Sequence, residues 1–198
     1  MDYFLKKYST PEDREGRVKD FFNELQNKFT KKDFEIELEI GCGHGHWLNA
    51  YSDSFPDKIC IGIDLITKRI LKSNLKKQKS ENQNLSFLKT SAIDFLDYKP
   101  KNIKISKTFI FFPDPWPKKK HHKRRLIQLS FLKTLRSHST KDSQLFFRTD
   151  HDDYFNWSKN IFEMSKHWEL ENTDFPFEHE SYFQNLLPDF ESFSAKAL

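Results

Sequence analysis

The sequence predicts an α/β fold of the doubly wound kind, a mostly parallel sheet with helices on both faces. Strand-like and helix-like segments alternate along most of the 198 residues, with connections long enough to return each strand parallel to the one before. Residue types suited to chemistry gather where the strand-like runs end, which is where such sheets bind ligands.

The elements follow in order. Residues 11–30 place Val18, Phe21, Phe22, Leu25 and Phe29 at helical spacing, with Pro11 near the start and Glu12 and Asp13 in the first turn. This helix belongs to an N-terminal extension, 1–33, ahead of a single domain, 34–198. "FEIELEIG" (34–41), "KICIGID" (58–64), "NLSFLKT" (84–90), "KTFIFFP" (107–113) and "QLFFRTD" (144–150) are predicted strands. Helical patterns lie near 45–54, 66–79, 92–97, 122–138 and 152–165. Beyond about residue 166 the periodicity weakens, and "ENTDFPFEHESYFQNLLPDFE" reads as irregular structure with short helical pieces.

Charge is modest, with 33 Lys+Arg against 29 Asp+Glu and a net +4, so attraction to polyanions must come from local clustering. Lys118 to Arg125, which contains no acid, is that cluster. The 21 Phe mostly supply core. Two cysteines, Cys42 and Cys60, are too few for a disulfide framework, and no Cys/His quartet suggests a metal site. Neither a signal peptide nor a membrane span is expected, so the chain reads as a soluble cytoplasmic protein, monomer or homodimer.

"ELEIGCGHGHW" puts Gly41, Gly43 and Gly45 directly after the first strand and before a helix, where glycine permits a tight turn and close approach of backbone to ligand. His46 stands where the dinucleotide fingerprint GxGxxG requires its last glycine, which argues against NAD. Asp64 ends the second strand, where an acid can accept hydrogen bonds from both ribose hydroxyls of an adenosine. Glu39 can meet a cationic amino group from the strand side. A cofactor with an adenosine, an amino acid and no pyrophosphate satisfies all three, and S-adenosylmethionine is the common one. His44 and His46 lack a third partner for a metal, and surface or backbone-bonding roles are expected for them.

"TFIFFPDPWP" ends a buried strand and breaks it with Pro113, Pro115 and Pro117. The stiff loop should present Asp114 and Trp116 at the sheet edge, facing the glycine loop, because the fourth strand ends beside the first. Lys118, Lys119, Lys120, His121, His122, Lys123, Arg124 and Arg125 follow at once, a block suited to phosphates. Asp150 leaves the fifth strand on the same rim, while Asp152 and Asp153 are expected to cap the next helix.

"EIGCGHGHW", "GID", "FFPDPWPKKKHHKRR" and "FRTD", in this order and spacing, resemble the bacterial tRNA (guanine-N7)-methyltransferases, which methylate guanosine 46 in the variable loop of tRNA. The resemblance runs from about Glu37 to Phe155. It implies a Rossmann-like class I methyltransferase fold, S-adenosylmethionine as cofactor and tRNA as partner. It further implies cofactor contacts from Glu39, Asp64 and Asp114, catalysis by Asp114, and substrate contacts from Lys118 and Asp150. The RNA-binding segment falls on Lys120 to Arg125. After the third strand, where the family has an acid or amide for the adenine, this chain has Ser91, with Asp94 three residues on. The family's C-terminal substrate motif finds its best counterpart at Ser181 to Gln184. Nothing after "FESFSAKAL" remains for a long last strand, so an abbreviated or differently built end of the sheet is expected. Two alternatives stand: a methyltransferase acting on amino groups of adenine or cytosine, suggested by the likeness of "PDPW" to a DPPY loop, and a non-catalytic RNA binder of the same fold.

Overall fold

The protein was analysed as a computed structural model that describes residues 10–80, 83–179 and 189–198. Helix α1 (Pro11–Phe29) opens with a capping box in which Thr10 and Asp13 satisfy each other's backbone N–H groups. The chain then alternates β1 (Glu35–Ile40), α2 (His46–Ser54), β2 (Cys60–Asp64), α3 (Thr67–Ser80), β3 (Leu85–Lys89), α4 (Ala92–Tyr98) and β4 (Lys104–Phe111). A 3₁₀ helix (Lys119–Arg124), α5 (Leu129–His138), β5 (Ser139–Thr149), α6 (Asp152–Glu163), β6 (Trp168–Glu171) and β7 (Glu191–Ala197) complete it.

The strands form one seven-stranded sheet in the order β3-β2-β1-β4-β5-β7-β6. β1 to β5 are parallel; β7 runs antiparallel between β5 and β6. The expected doubly wound sheet is therefore present, and it is not abbreviated. "ESFSAKA" itself forms a seven-residue strand, in which Ala195 is fully buried and Phe193 stacks on Phe147 at 5.0 Å. An exposed–buried alternation is blurred there by small residues, which is why no strand was predicted. β6 went unrecognised for a similar reason: four residues, with Trp168 alone carrying the burial.

One face is covered by α1, α4, α5 and α6, whose Phe22, Phe95, Leu132 and Phe162 meet Ile36, Leu38, Ile110 and Phe147 of the strands. On the other face, α2 and α3 cover β1 to β3 through Trp47, Leu48, Tyr51 and Ile70. Phe175 and Phe177, from the segment after β6, continue that layer over Phe111 and Phe146. Arg148, buried in β5, holds this segment by pairing with Glu178 and by lying 4.0 Å from the Phe175 ring centroid.

The helix expected over 122–138 is two pieces. Between them, Ile127 donates its N–H to the Tyr154 hydroxyl and accepts from the Trp157 indole, so α6 clamps an extended link. Among the described residues no helix is long and apolar enough to cross a membrane, and no His/Cys/Asp/Glu group could hold a metal.

Candidate active site

Gly41, Gly43 and Gly45 all have positive φ, at 81°, 55° and 66°, a backbone region that costs other residues strain. At Gly45 a Cβ would also meet the Phe87 ring at 2.5 Å. The loop they build is tied to β2: Gly41 and Cys42 donate to the Ile63 carbonyl, and Gly43 donates to Asp64 Oδ2 at 3.1 Å.

Asp64 is thus placed at the predicted position, but its carboxylate is engaged by protein. Oδ1 accepts from Ile66 N–H at 2.7 Å, and Oδ2 also meets Arg69 at 3.3 Å. A carboxylate has about four acceptor sites, so room for further donors remains. Ser91 is the N-cap of α4, accepting from Asp94 N–H and donating to Asp94 Oδ2. It lines a cavity of about 420 Å³ with Arg14, Arg17, Leu65 and Thr90.

Glu39 lies at the floor of a second cavity, about 220 Å³, with Gly41, Cys42, His44, Trp47 and Phe111 around it. Burial first, and the nearby Asp64 charge second, raise its carboxyl from the usual 4.5 to about 8. One oxygen, Oε2, is buried with no hydrogen-bond partner. A buried acceptor left unpaired is costly, and a cationic amino group is the donor that both satisfies it and favours its ionised form. This is the observation on which the amino-acid end of S-adenosylmethionine fits the pocket.

The register Ile40↔Ile110 sets the end of β4 beside the glycine loop, and Phe111 and Phe112 line the same cavity as Gly41 to His44. From there the loop runs through an exposed Asp114. Phe112 and Trp116 bracket it with φ of 51° and 46°, left-handed conformations that cost a bulky residue about 1–3 kcal/mol each. The loop is held against that strain. Phe112 N–H donates to the Arg148 carbonyl at 2.8 Å, Arg125 Nε donates to the Pro115 carbonyl at 2.8 Å, and Arg124 lies 4.9 Å from the Trp116 ring.

The cation block divides by side. With three residues per 3₁₀ turn, positions 122 and 125 fall on one face. Arg125 is 2% exposed, paired with Asp153 and packed over Tyr154 and Trp157. That corrects the expectation that its charge faces RNA. His122 packs edge-on against Trp157 and points toward Asp153 at 3.8 Å, and His121 meets Trp116. Lys118, Lys119, Lys120, Lys123 and Arg124 are exposed. Asp150 is exposed at the end of β5. His151, not Asp152 or Asp153, caps α6, its Nδ1 accepting from Tyr154 N–H. Ser181 and Gln184 lie outside the described residues.

Sequence reasoning missed Arg69, which lines the Glu39 cavity and holds Asp64, and Arg148, which anchors the loop. An arginine inside the apolar run "LFFRT" was the available signal for the second. Trp47, the last residue of "ELEIGCGHGHW", is fully buried in the cavity wall and stacked on Tyr51 at 4.8 Å.

A family model described as "Putative methyltransferase" matches residues 33–186. The chain is 31% identical over 158 residues to the tRNA (guanine-N(7)-)-methyltransferase of Lachnoclostridium phytofermentans, covering 79% of this chain and 72% of that one. It is 32% identical over 162 residues to the same enzyme of Brevibacillus brevis, with the same coverage. Among solved structures, the 16S rRNA methyltransferase KamB aligns with a TM-score of 0.60 at 14% identity, over 89% of this chain and 92% of that one. The 16S rRNA (adenine(1408)-N(1))-methyltransferase from Catenulisporales acidiphilia, solved with cosubstrate SAM, aligns with a TM-score of 0.58 at 13% identity, over 90% and 91%. These two support the fold, and the sequence relatives carry the family. With the motifs from Glu39 to Asp150 on one sheet rim, the chain belongs to the tRNA (guanine-N(7)-)-methyltransferase family.

Proposed function

We propose that this protein methylates N7 of guanosine in tRNA, at position 46 of the variable loop. The observation that supports the reading is the strained proline loop, in which exposed Asp114 follows two residues after Phe112 of the Glu39 cavity lining and is itself followed by exposed cations. Its relatives' tRNA substrates agree with it.

S-adenosylmethionine supplies an electrophilic methyl group on a sulfonium. Glu39 would hold its amino group, the glycine loop would border its methionine end, and Asp64 would face its ribose. The adenine would extend toward the cavity of Leu65 and Ser91. Guanine N7 has an in-plane lone pair, so no residue need act as a base. The protein's contribution is orientation, which can supply up to about 7–11 kcal/mol in model systems, and stabilisation of charge. As N7 is alkylated, positive charge develops on its imidazole ring, and the Asp114 carboxylate on a rigid mount favours it. Trp116, half-buried beside Arg124, offers a ring for an unstacked base.

The test is transfer of labelled methyl to tRNA transcripts with guanosine or adenosine at position 46, followed by nucleoside mass spectrometry. N7-methylguanosine from the first transcript alone is the expected result. Methylated adenine or cytosine without it would instead support an amino-methyltransferase. A protein that binds tRNA but takes up no S-adenosylmethionine would be the non-catalytic relative.

A further inference from the structure

The surface of helix α3 is left unexplained by the site described above. Its fourteen residues, "TKRILKSNLKKQKS", contain no acid. Lys68 and Lys72 are one turn apart and exposed, as Lys72 and Lys76 are one turn apart, and like charges at this spacing oppose helix formation. Some lysines elsewhere are balanced by an acid: Lys19 pairs with Glu15, Lys107 with Glu37 and Lys196 with Glu169. Among the described residues, no ion pair is formed by Lys68, Lys72 or Lys76, and Lys76 Nζ is shielded with no hydrogen-bond partner.

The helix also borders the pocket, since its Arg69 lines the Glu39 cavity. After burial, the charges of Lys72, Arg69 and Lys76 are what depress the pKa of His44, and Lys76 acts in the same way on His46. Both histidines line the Glu39 cavity. The cavity thus has a cationic helix on its β2 side, α3, while the cations of Lys118 to Arg124 follow the loop that leaves β4. Retained like-charge repulsion on both flanks of one pocket is relieved by a polyanion that lies across it.

We propose that α3 is a second phosphate-binding surface for the tRNA substrate, gripping the backbone on the side of the pocket opposite the Lys118–Arg124 segment. The proposal rests on the tRNA reading given above. Leu71 and Leu75, 59% and 60% exposed on the same helix, lie between the cations, where they suit ribose faces. They also suit a second copy of the chain, and the test includes that occupant.

The experiment is fluorescence anisotropy of labelled tRNA at several salt concentrations, with wild type and Lys68→Ala/Lys72→Ala. Both side chains are exposed and alanine is the better helix former, so folding should survive; thermal unfolding and calorimetric uptake of S-adenosylmethionine verify it. The variant should bind tRNA about tenfold more weakly, with a salt slope reduced by about two. Lys68→Glu/Lys72→Glu should bind more weakly still. Unchanged affinity and slope in both variants would overturn the proposal while leaving the methyltransferase reading intact. A wild-type dimer in sedimentation that dissociates in Leu71→Glu/Leu75→Glu would also overturn it, since the face would then be covered. Wild type that takes up S-adenosylmethionine but binds no tRNA would defeat both.

Discussion

Asp114 and Glu39 are carboxylates with opposite surroundings, and their environments set their work. Asp114 is exposed on a mount that is rigid before any ligand arrives, so Asp114→Ala should remove methyl transfer while changing tRNA affinity less than threefold. Single-turnover rates beside anisotropy titrations check this; equal loss of both would make the loop merely structural. Glu39 is raised to about 8 from 4.5, so between those values the folded protein binds more protons than the unfolded chain. Stability without cofactor should therefore fall as pH rises through that window. A cationic amino group reverses the preference and drives the proton off. Uptake of S-adenosylmethionine at pH 6.5 should release close to one proton, measured by calorimetry in buffers of different protonation enthalpy, and affinity should rise with pH until about 8. Glu39→Gln should abolish the release. The position of Glu39 was legible in the sequence; its protonation was not, because burial beside Asp64 is a property of packing.

The segment from Lys118 to Arg125 shows what an element adds to a motif. In sequence it is one block of positive charge. Folded as a single-sided 3₁₀ turn, it presents Lys119, Lys120, Lys123 and Arg124 to solvent and sends Arg125 inward to the Pro115 carbonyl and Asp153. Two substitutions separate these tasks. Lys123→Ala/Arg124→Ala should lower the salt slope of tRNA binding by about two and leave the denaturation midpoint in place. Arg125→Ala should cost about 2–4 kcal/mol of stability, read from a shifted urea midpoint at constant m-value, through lost packing over Tyr154 and Trp157 and the freed Pro115 carbonyl. Charge runs are legible to the eye, whereas the face each charge takes depends on a local helix type that composition does not reveal. The divided helix at Ile127 has the same origin, since it is Tyr154 and Trp157, about thirty residues away, that hold the break.

At the scale of the whole molecule the parallel half of the sheet was the readable half. β2 and β3 are short, mostly buried runs, β1 and β4 end in buried apolar residues, and β1, β2 and β4 are closed by a glycine, an acid and a proline turn respectively. The antiparallel edge was not, because its signals are a lone Trp168 and a strand of small residues. That edge is nevertheless integral: β7 bonds β5 on one side and β6 on the other. A variant ending at Phe190 should lose cooperative thermal unfolding and bind a hydrophobic dye, even though every predicted site residue remains in it. A folded variant with wild-type melting would show the edge to be dispensable.

The insertion of β7 has a kinetic side. β5 pairs with β4 through a single helical crossover, but it meets β7 only after α6, β6 and the segment carrying Phe175 and Phe177 have been traversed. Contacts of such long range pay their loop-closure entropy late. β7 should therefore dock after the folding barrier, and Phe193→Leu or Ala195→Gly should accelerate unfolding while leaving the refolding rate almost unchanged. The resistance of the assembled protein to proteolysis would then be governed by how tightly its last-placed strand is held between two neighbours.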